Sequence, residues 1–129
     1  MGDSARLGAM TEMGQASECI FCKIAARQIP ADIVYSSDSV TAFRDLNPKA
    51  PTHILLIPKE HIESAAVLQE GHGDLLVEIF KAAAHLAKAD GIDGSGWRLV
   101  TNVGPDAGQS VPHLHFHLLG GRTMGWPPG

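Results

Sequence analysis

Gln109-Ser110-Val111-Pro112-His113-Leu114-His115-Phe116-His117-Leu118-Leu119 holds three of the chain's seven histidines, one at every second position. Successive side chains of a β-strand point to opposite faces. A strand over Pro112–Leu119 therefore sets His113, His115 and His117 on one face and Leu114, Phe116 and Leu118 on the other. That is a half-buried strand whose polar face carries only imidazoles. Gly104-Pro105-Asp106-Ala107-Gly108-Gln109-Ser110 leads into it, and its glycines suit a loop that presents backbone N–H groups to an anion. A lone strand histidine is usually an ordinary packed or surface residue. Three in strict alternation behind a Gly-rich loop need another account. Two are open: ligands of a metal, or an imidazole nucleophile with supporting groups. Spacing alone does not separate them, although no Asp or Glu follows in the strand to help a metal-bound water.

The chain has 129 residues, enough for one domain with a core but not for two. Hydrophobic residues make up 44% and charged residues 19%, an ordinary globular mix. The net charge is −4 and no run of Lys or Arg forms a basic stripe, so polymeric nucleic acid is not an expected partner. A small nucleotide needs only a local anion site. No apolar run is long enough to span a bilayer and no signal-peptide core is visible, so no membrane association is expected and the protein is placed in the cytoplasm. Two cysteines in a Cys-x-x-Cys pair do not suggest a secreted disulfide scaffold.

Residues 1–16 mix Gly, Ser, Ala and Met without periodicity and read as a disordered extension; the domain is expected over residues 17–129. Ser17 is a candidate N-cap for a short helix carrying Ile20, Phe21 and Ile24, which should stop near Gln28 ahead of Pro30. Ile33–Ser36 and Val40–Arg44 read as strands joined by a Ser-Asp-Ser turn. Pro48 and Pro51 keep the following loop irregular. Thr52–Pro58 is apolar on both faces apart from His53, the mark of a central strand. His61–Leu68 reads as a short helical turn. Asp74–Asp90 is the main helix, with Leu75, Leu76, Ile79, Phe80, Ala83, Leu86 and Ala87 in one stripe, Asp74 as cap and Gly91 just beyond the end. His72 and His85 lie off the stripe and read as solvated. Trp97–Asn102 is the fourth strand and Pro112–Leu119 the fifth. The sum is an α+β fold: a five-stranded antiparallel meander with one long and one short helix.

His113-Leu114-His115-Phe116-His117-Leu118-Leu119 resembles the histidine triad motif, His-x-His-x-His-x-x with apolar x. The motif names the HIT superfamily of nucleotide hydrolases and transferases. The likeness extends to Asp45-Leu46-Asn47-Pro48-Lys49-Ala50-Pro51-Thr52-His53, Ile57-Pro58-Lys59-Glu60-His61, Gly108-Gln109-Ser110-Val111 and the tail from Gly120 to Trp126-Pro127-Pro128-Gly129. Together these resemble the Hint branch, the histidine triad nucleotide-binding proteins, which are similar to purine nucleoside phosphoramidases. The branch implies a homodimer whose tail, with Trp126, reaches the partner's site.

A neutral imidazole can attack phosphorus if its other nitrogen carries an anchored proton. The middle histidine is flanked on both sides, so His115 is the natural nucleophile, and the resemblance implies the same role through a covalent nucleotidyl-histidine. It implies that His117 stabilises phosphate charge, that His53 and His113 complete the cluster, and that Ser110 gives a proton to the leaving amine. Ser110 could otherwise simply cap its loop. Backbone N–H groups of Gly108 and Gln109 should face the phosphate. Asn102 is implied on the phosphate or ribose side, Asp45 with Leu46 at the ribose, and Ile20, Phe21 and Ile24 along the base. The plainer reading of Asp45 is a turn-forming residue before Asn-Pro, and that of the apolar three is core packing. Cys19 and Cys22 depart from a metal-free Hint protein. Some relatives put a structural zinc on such a pair plus two histidines, here His61 and His113; the alternative is a pair of reduced thiols. Catalysis itself should need no cofactor.

Three rival functions stand beside a phosphoramidate hydrolase. One is a non-catalytic nucleotide-binding scaffold, against which the intact triad and Ser110 argue. The second is a dinucleoside polyphosphate hydrolase or nucleotidyl transferase, against which the Trp-Pro-Pro-Gly tail argues. The third is a metalloenzyme using the histidines as ligands.

Overall fold

A computed structural model describes residues 18–129, so the expected N-terminal extension and the Ser17 cap lie outside the described residues. The chain forms α1 (Ile20–Ala25), β1 (Ile33–Ser36), β2 (Val40–Arg44), β3 (Thr52–Pro58), two 3-10 turns (Ala65–Val67 and Glu70–His72), α2 (Gly73–Ala89), β4 (Trp97–Thr101) and β5 (Phe116–Gly120). The strands make one antiparallel sheet in the order β1-β2-β3-β5-β4. The helical crossover carries the chain past β3 to the far edge, and β5 returns into the gap. β3 is central and buried along its whole length, as its two-sided apolar pattern requires.

The sheet buries a different layer on each face. Ile54, Leu56, Leu114, Phe116 and Leu118 meet Ile79, Ala82, Ala83 and Leu86 of α2. On the opposite face Phe43, Leu55 and Ile57 lie under Phe21 and Ile24 of α1 and under Cys19 just before it. The α2 stripe differs from the expected one at a single large residue. Phe80 is 53% exposed, and Ala82 takes its place in the core. Paired alanines let helix and sheet approach closely, and Phe80 then overhangs, edge-on to Phe116 with ring centroids 6.1 Å apart.

The helix ends show where local chemistry overrode the expected boundaries. α1 stops at Ala25 because Arg27 turns left-handed (φ 61°), and the Arg27 and Gln28 N–H groups close onto Ile24 and Lys23 carbonyls. Its N-cap is Cys19, whose Sγ accepts the Cys22 N–H at 3.4 Å. α2 starts one residue earlier than expected, so Asp74 sits in the first turn and His72 is the N-cap. His72 is not a free solvated residue: it accepts the Gln69 N–H at 3.0 Å and approaches Glu60 at 3.4 Å. His85 is exposed, as expected. Gly91 does end α2 with φ 76°. Only Ala65–Val67 of the expected His61–Leu68 turn is helical, with Ser64 as its cap. The C-terminus of α2 is clamped to the sheet. Arg44 forks onto the Asp90 carboxylate with two bonds of 2.9 Å, and Thr52 Oγ1 donates to it at 2.8 Å.

β5 begins at Phe116, which pairs with Leu56 on β3 and with Thr101 on β4; β4 ends there, whereas β3 runs on to Pro58. His113 and His115 therefore precede the strand, and only His117 lies within it. Pro112 cannot donate to a ladder, and the His113 N–H instead closes back onto Val111 O at 2.8 Å. The alternation of faces survives, but the imidazole face is not half-open as expected. α1 covers it, leaving His113 fully buried and His115 5% exposed.

Candidate active site and metal centre

Five histidines form a continuous row across this face. His61 and His113 rings lie 5.0 Å apart, Phe21 stands edge-on to both His113 (5.9 Å) and His115 (5.1 Å), and His115–His117 and His117–His53 follow at 5.1 and 5.2 Å. Every tautomer except that of His61 follows from its partners, because a carbonyl only accepts and a backbone N–H only donates. His115 Nδ1 lies 2.7 Å from His113 O, so Nδ1 carries the proton and Nε2 keeps a lone pair. His113 Nε2 lies 2.9 Å from Pro58 O, so Nε2 carries the proton and Nδ1 keeps the lone pair. His53 Nδ1 accepts the Lys49 N–H at 3.0 Å, which puts its proton on Nε2. That proton faces His117 Nδ1 at 2.9 Å, so His117 holds its own proton on Nε2.

The row divides into two ends with different chemistry. At one end Cys19 Sγ and Cys22 Sγ lie 3.3 and 3.5 Å from His113 Nδ1, and Cys22 Sγ lies 3.2 Å from His61 Nδ1. All four donor atoms are within 4.8 Å of one another. Two cysteines and two histidines are the donor set of a closed tetrahedral zinc site. The residues fit such an ion. Burial, and then the adjacent Cys19, push the Cys22 thiol up to about 12, a penalty that a cation between the sulfurs removes. Burial lowers His113 to about 4 and lowers His61, so both stay neutral, as ligands must.

At the other end Asp45, His53 and His117 also bring donor atoms within 4.8 Å of one another. Here the tautomers speak against a metal, because His53 Nε2 carries the proton that His117 receives. This end reads as a proton-ordered relay. Burial, and then the neighbouring His115 and His53, hold His117 at about 4, while burial outweighs Asp45 in lowering His53. Asp45, Asn47, Lys49, His53, Asn102 and His117 line a cavity of about 290 Å³ here. A larger hollow of about 600 Å³ lies beside Trp97 and Arg122 but contains no histidine.

The remaining expected residues fall in three places. Asp45, His53, Asn102 and His117 are brought together, with Asp45 also serving as turn former through the Asn47 N–H at 2.8 Å. Phe21 and Ile24 are core residues, Phe21 edge-on to the row, whereas Ile20 is 50% and Leu46 98% exposed. Trp126 is 82% exposed and does not line this cavity. The Gly-rich loop corrects one expectation. The N–H groups of Gly108 and Gln109 are consumed inside it, on Pro105 O at 3.0 Å and Gly104 O at 3.1 Å. The Gln109 side chain ties the loop to Glu63 O and Val111 O. Ser110 stands exposed at the loop's end. Sequence reading missed Thr101, whose Oγ1 donates to His115 O at 2.8 Å, and the backbone groups of Lys49 and Pro58. Main-chain partners leave no residue-type signal.

The HIT domain family model matches residues 26–124. A "14 kDa zinc-binding protein" of Zea mays is 48% identical over 115 residues, covering 88% of this chain and 89% of its own length. A "Purine nucleoside phosphoramidase" of Escherichia coli strain K12 is 48% identical over 110 residues, covering 85% of this chain and 92% of its own. The crystal structure of a HIT family hydrolase from Legionella pneumophila Philadelphia 1 superposes with a TM-score of 0.85 at 49% identity, over 87% of this chain and all of that one. A matched span of this extent, on a sheet that presents the histidine row just described, means that this chain belongs to the HIT domain family.

Proposed function

We propose that this protein is a hydrolase of purine nucleoside phosphoramidates and related adenylated small molecules, acting through a nucleotidyl-His115 intermediate. The observation that carries the reading is the pair of opposed tautomers at adjacent rings. His115 keeps a lone pair on Nε2 because its Nδ1–H is held by His113 O, while His117 keeps a proton on Nε2. A nucleophile and a hydrogen-bond donor therefore stand side by side, both set before substrate arrives. His115 Nε2 attacks the α-phosphorus, a P–N bond forms, and the P–N bond to the leaving amine breaks as the amine gains a proton from Ser110. Water then attacks phosphorus and returns a proton to Ser110, the His115–phosphorus bond breaks, and nucleoside monophosphate leaves. His117 Nε2–H stabilises the phosphate oxygens throughout, and His53 holds it in that tautomer. Asp45 takes the ribose hydroxyls and Asn102 the phosphate side, with Phe21, Ile24, Ile20 and Leu46 along the base.

Zinc occupies the Cys19, Cys22, His61 and His113 centre as a structural ion and takes no part in bond cleavage. Free thiols at such a centre suit a reducing cytoplasm. The domain spans residues 17–129 and works as a homodimer. β4 is an open sheet edge, Phe80 is exposed over Phe116, and Trp126 is exposed as a single chain would not favour. A monomer by size measurement at micromolar concentration would remove the dimer. For the function, His115→Ala should abolish turnover of adenosine phosphoramidate while adenosine monophosphate still binds. Unchanged turnover would refute the assignment.

A further inference from the structure

The row of rings joins the two ends of the site, and the junction is His113. Its side chain belongs to the Cys/His centre, with Nδ1 facing both thiols. Its carbonyl belongs to the reaction end, holding His115 Nδ1–H at 2.7 Å. Rotation of the His113 peptide would remove the one contact that sets the His115 tautomer. What prevents that rotation comes from the segment around His61. Pro58 O accepts His113 Nε2–H at 2.9 Å, Ile62 O accepts the Leu114 N–H at 2.6 Å, and His61 packs edge-on against His113. A second route runs through α1. Phe21, held between Cys19 and Cys22 in sequence, places one ring edge-on to both His113 and His115. The four donors thus gather the three segments that together fix the orientation of His115.

We propose that the Cys19–Cys22–His61–His113 centre, when a metal ion closes it, acts as a positioning site for His115 in addition to bracing the fold. The ion holds the His113 peptide and the Phe21 ring, and these two hold the His115 imidazole in its Nδ1–H form with Nε2 free. His113 is then a positioning residue, because it acts through His115. The inference rests on the reading of His115 as nucleophile, but its structural half stands on the hydrogen bond alone.

The experiment uses the full chain loaded with zinc, the same chain after chelation, and the variants His61→Ala and His61→Cys, assayed well below their melting temperatures. His61 is the ring at the far end of the row from His117 and His53, and Cys restores a ligand without restoring the ring. Three readouts are taken: zinc content, the kcat and KM for adenosine phosphoramidate, and the imidazole ¹⁵N signals of His115. Chelation and His61→Ala should lower kcat by about 10- to 100-fold with adenosine monophosphate affinity within about twofold. The His115 signals should move from a single Nδ1–H tautomer to an exchanging mixture. Zinc-loaded His61→Cys should recover both. Unchanged kcat and unchanged His115 signals beside a lower melting temperature would overturn the proposal, leaving a brace only. A chain that binds no zinc would overturn it too, as would global unfolding of the chelated chain at 10 °C, since positioning requires a folded metal-free state. His115→Ala serves as the control for chemistry. Turnover persisting in that variant refutes the nucleophile, while the ¹⁵N signals of the unaltered chain still decide the coupling.

Discussion

Acid should destabilise this fold well above the pH at which its carboxylates titrate, because it buries a row of neutral histidines. In the folded chain His113 and His117 are held at about 4, against an ordinary 6.5. The unfolded chain therefore takes up these protons first, and stability falls as pH drops below about 6.5. Stability is fully retained above that value, and the loss levels off once the folded sites also fill near pH 4. For a buried histidine with this separation, linkage gives a loss of about 2 kcal/mol between pH 7 and pH 4.5. His113 is fully buried and should lose about that amount. His117 reaches the cavity, and solvent screening reduces its share to about 1 kcal/mol. His53 and His61 shift in the same direction and deepen the fall. Asp90 works over a different range. Arg44 depresses its carboxyl, so its contribution persists through this window and is lost only below the ordinary value of 3.8. The assay is urea unfolding of chelated protein at pH 7, 6, 5 and 4.5. The free energy should drop by about 3 kcal/mol in total, and by about 1 kcal/mol less in His117→Gln. A flat profile between pH 7 and 5, or stability rising toward acid, would refute the argument that these rings are buried in the neutral state.

Zinc held at a hundred times its dissociation constant should add about 2.7 kcal/mol, read as a melting temperature roughly 10 °C above that of chelated protein. Cys22→Ser should abolish that difference, and a difference that survives would place the ion elsewhere. Asp90→Ala removes both Arg44 bonds and the Thr52 bond, and should cost about 2–3 kcal/mol in urea unfolding. A cost below about 0.5 kcal/mol would show that the clamp on α2 is solvent-compensated. Ser110→Ala should slow substrates with strongly basic leaving amines by about 100-fold and spare those with weakly basic ones; equal slowing of both would remove its role as proton donor.

Much of this protein is legible along the chain because its signals are local. The two-sided apolar run of Thr52–Pro58 can only be a covered strand, and its bounds agree with the structure. Left-handed Gly91 marks the end of α2 where expected. The boundaries that moved did so for reasons outside the local pattern. Arg27 adopts a conformation more typical of glycine, and β5 starts late where its edge neighbour β4 ends, at the Thr101–Phe116 pair. Phe80 has the right spacing for the core but the wrong size for a helix that approaches the sheet on alanines.

The site divides the same way. Side-chain types at fixed spacing selected His113, His115 and His117, the Cys19–Cys22 pair and the Asp45 turn, because chemistry that needs an imidazole or a thiol leaves that residue in the sequence. Which ring nitrogen of each imidazole is left free was decided only by the tertiary fold. Whether a ring is placed as metal ligand or as nucleophile depends on which nitrogen holds the proton and what the free nitrogen then faces. That proton is placed by Pro58 O, His113 O and the Lys49 N–H, main-chain groups that every sequence supplies and only folding brings within reach.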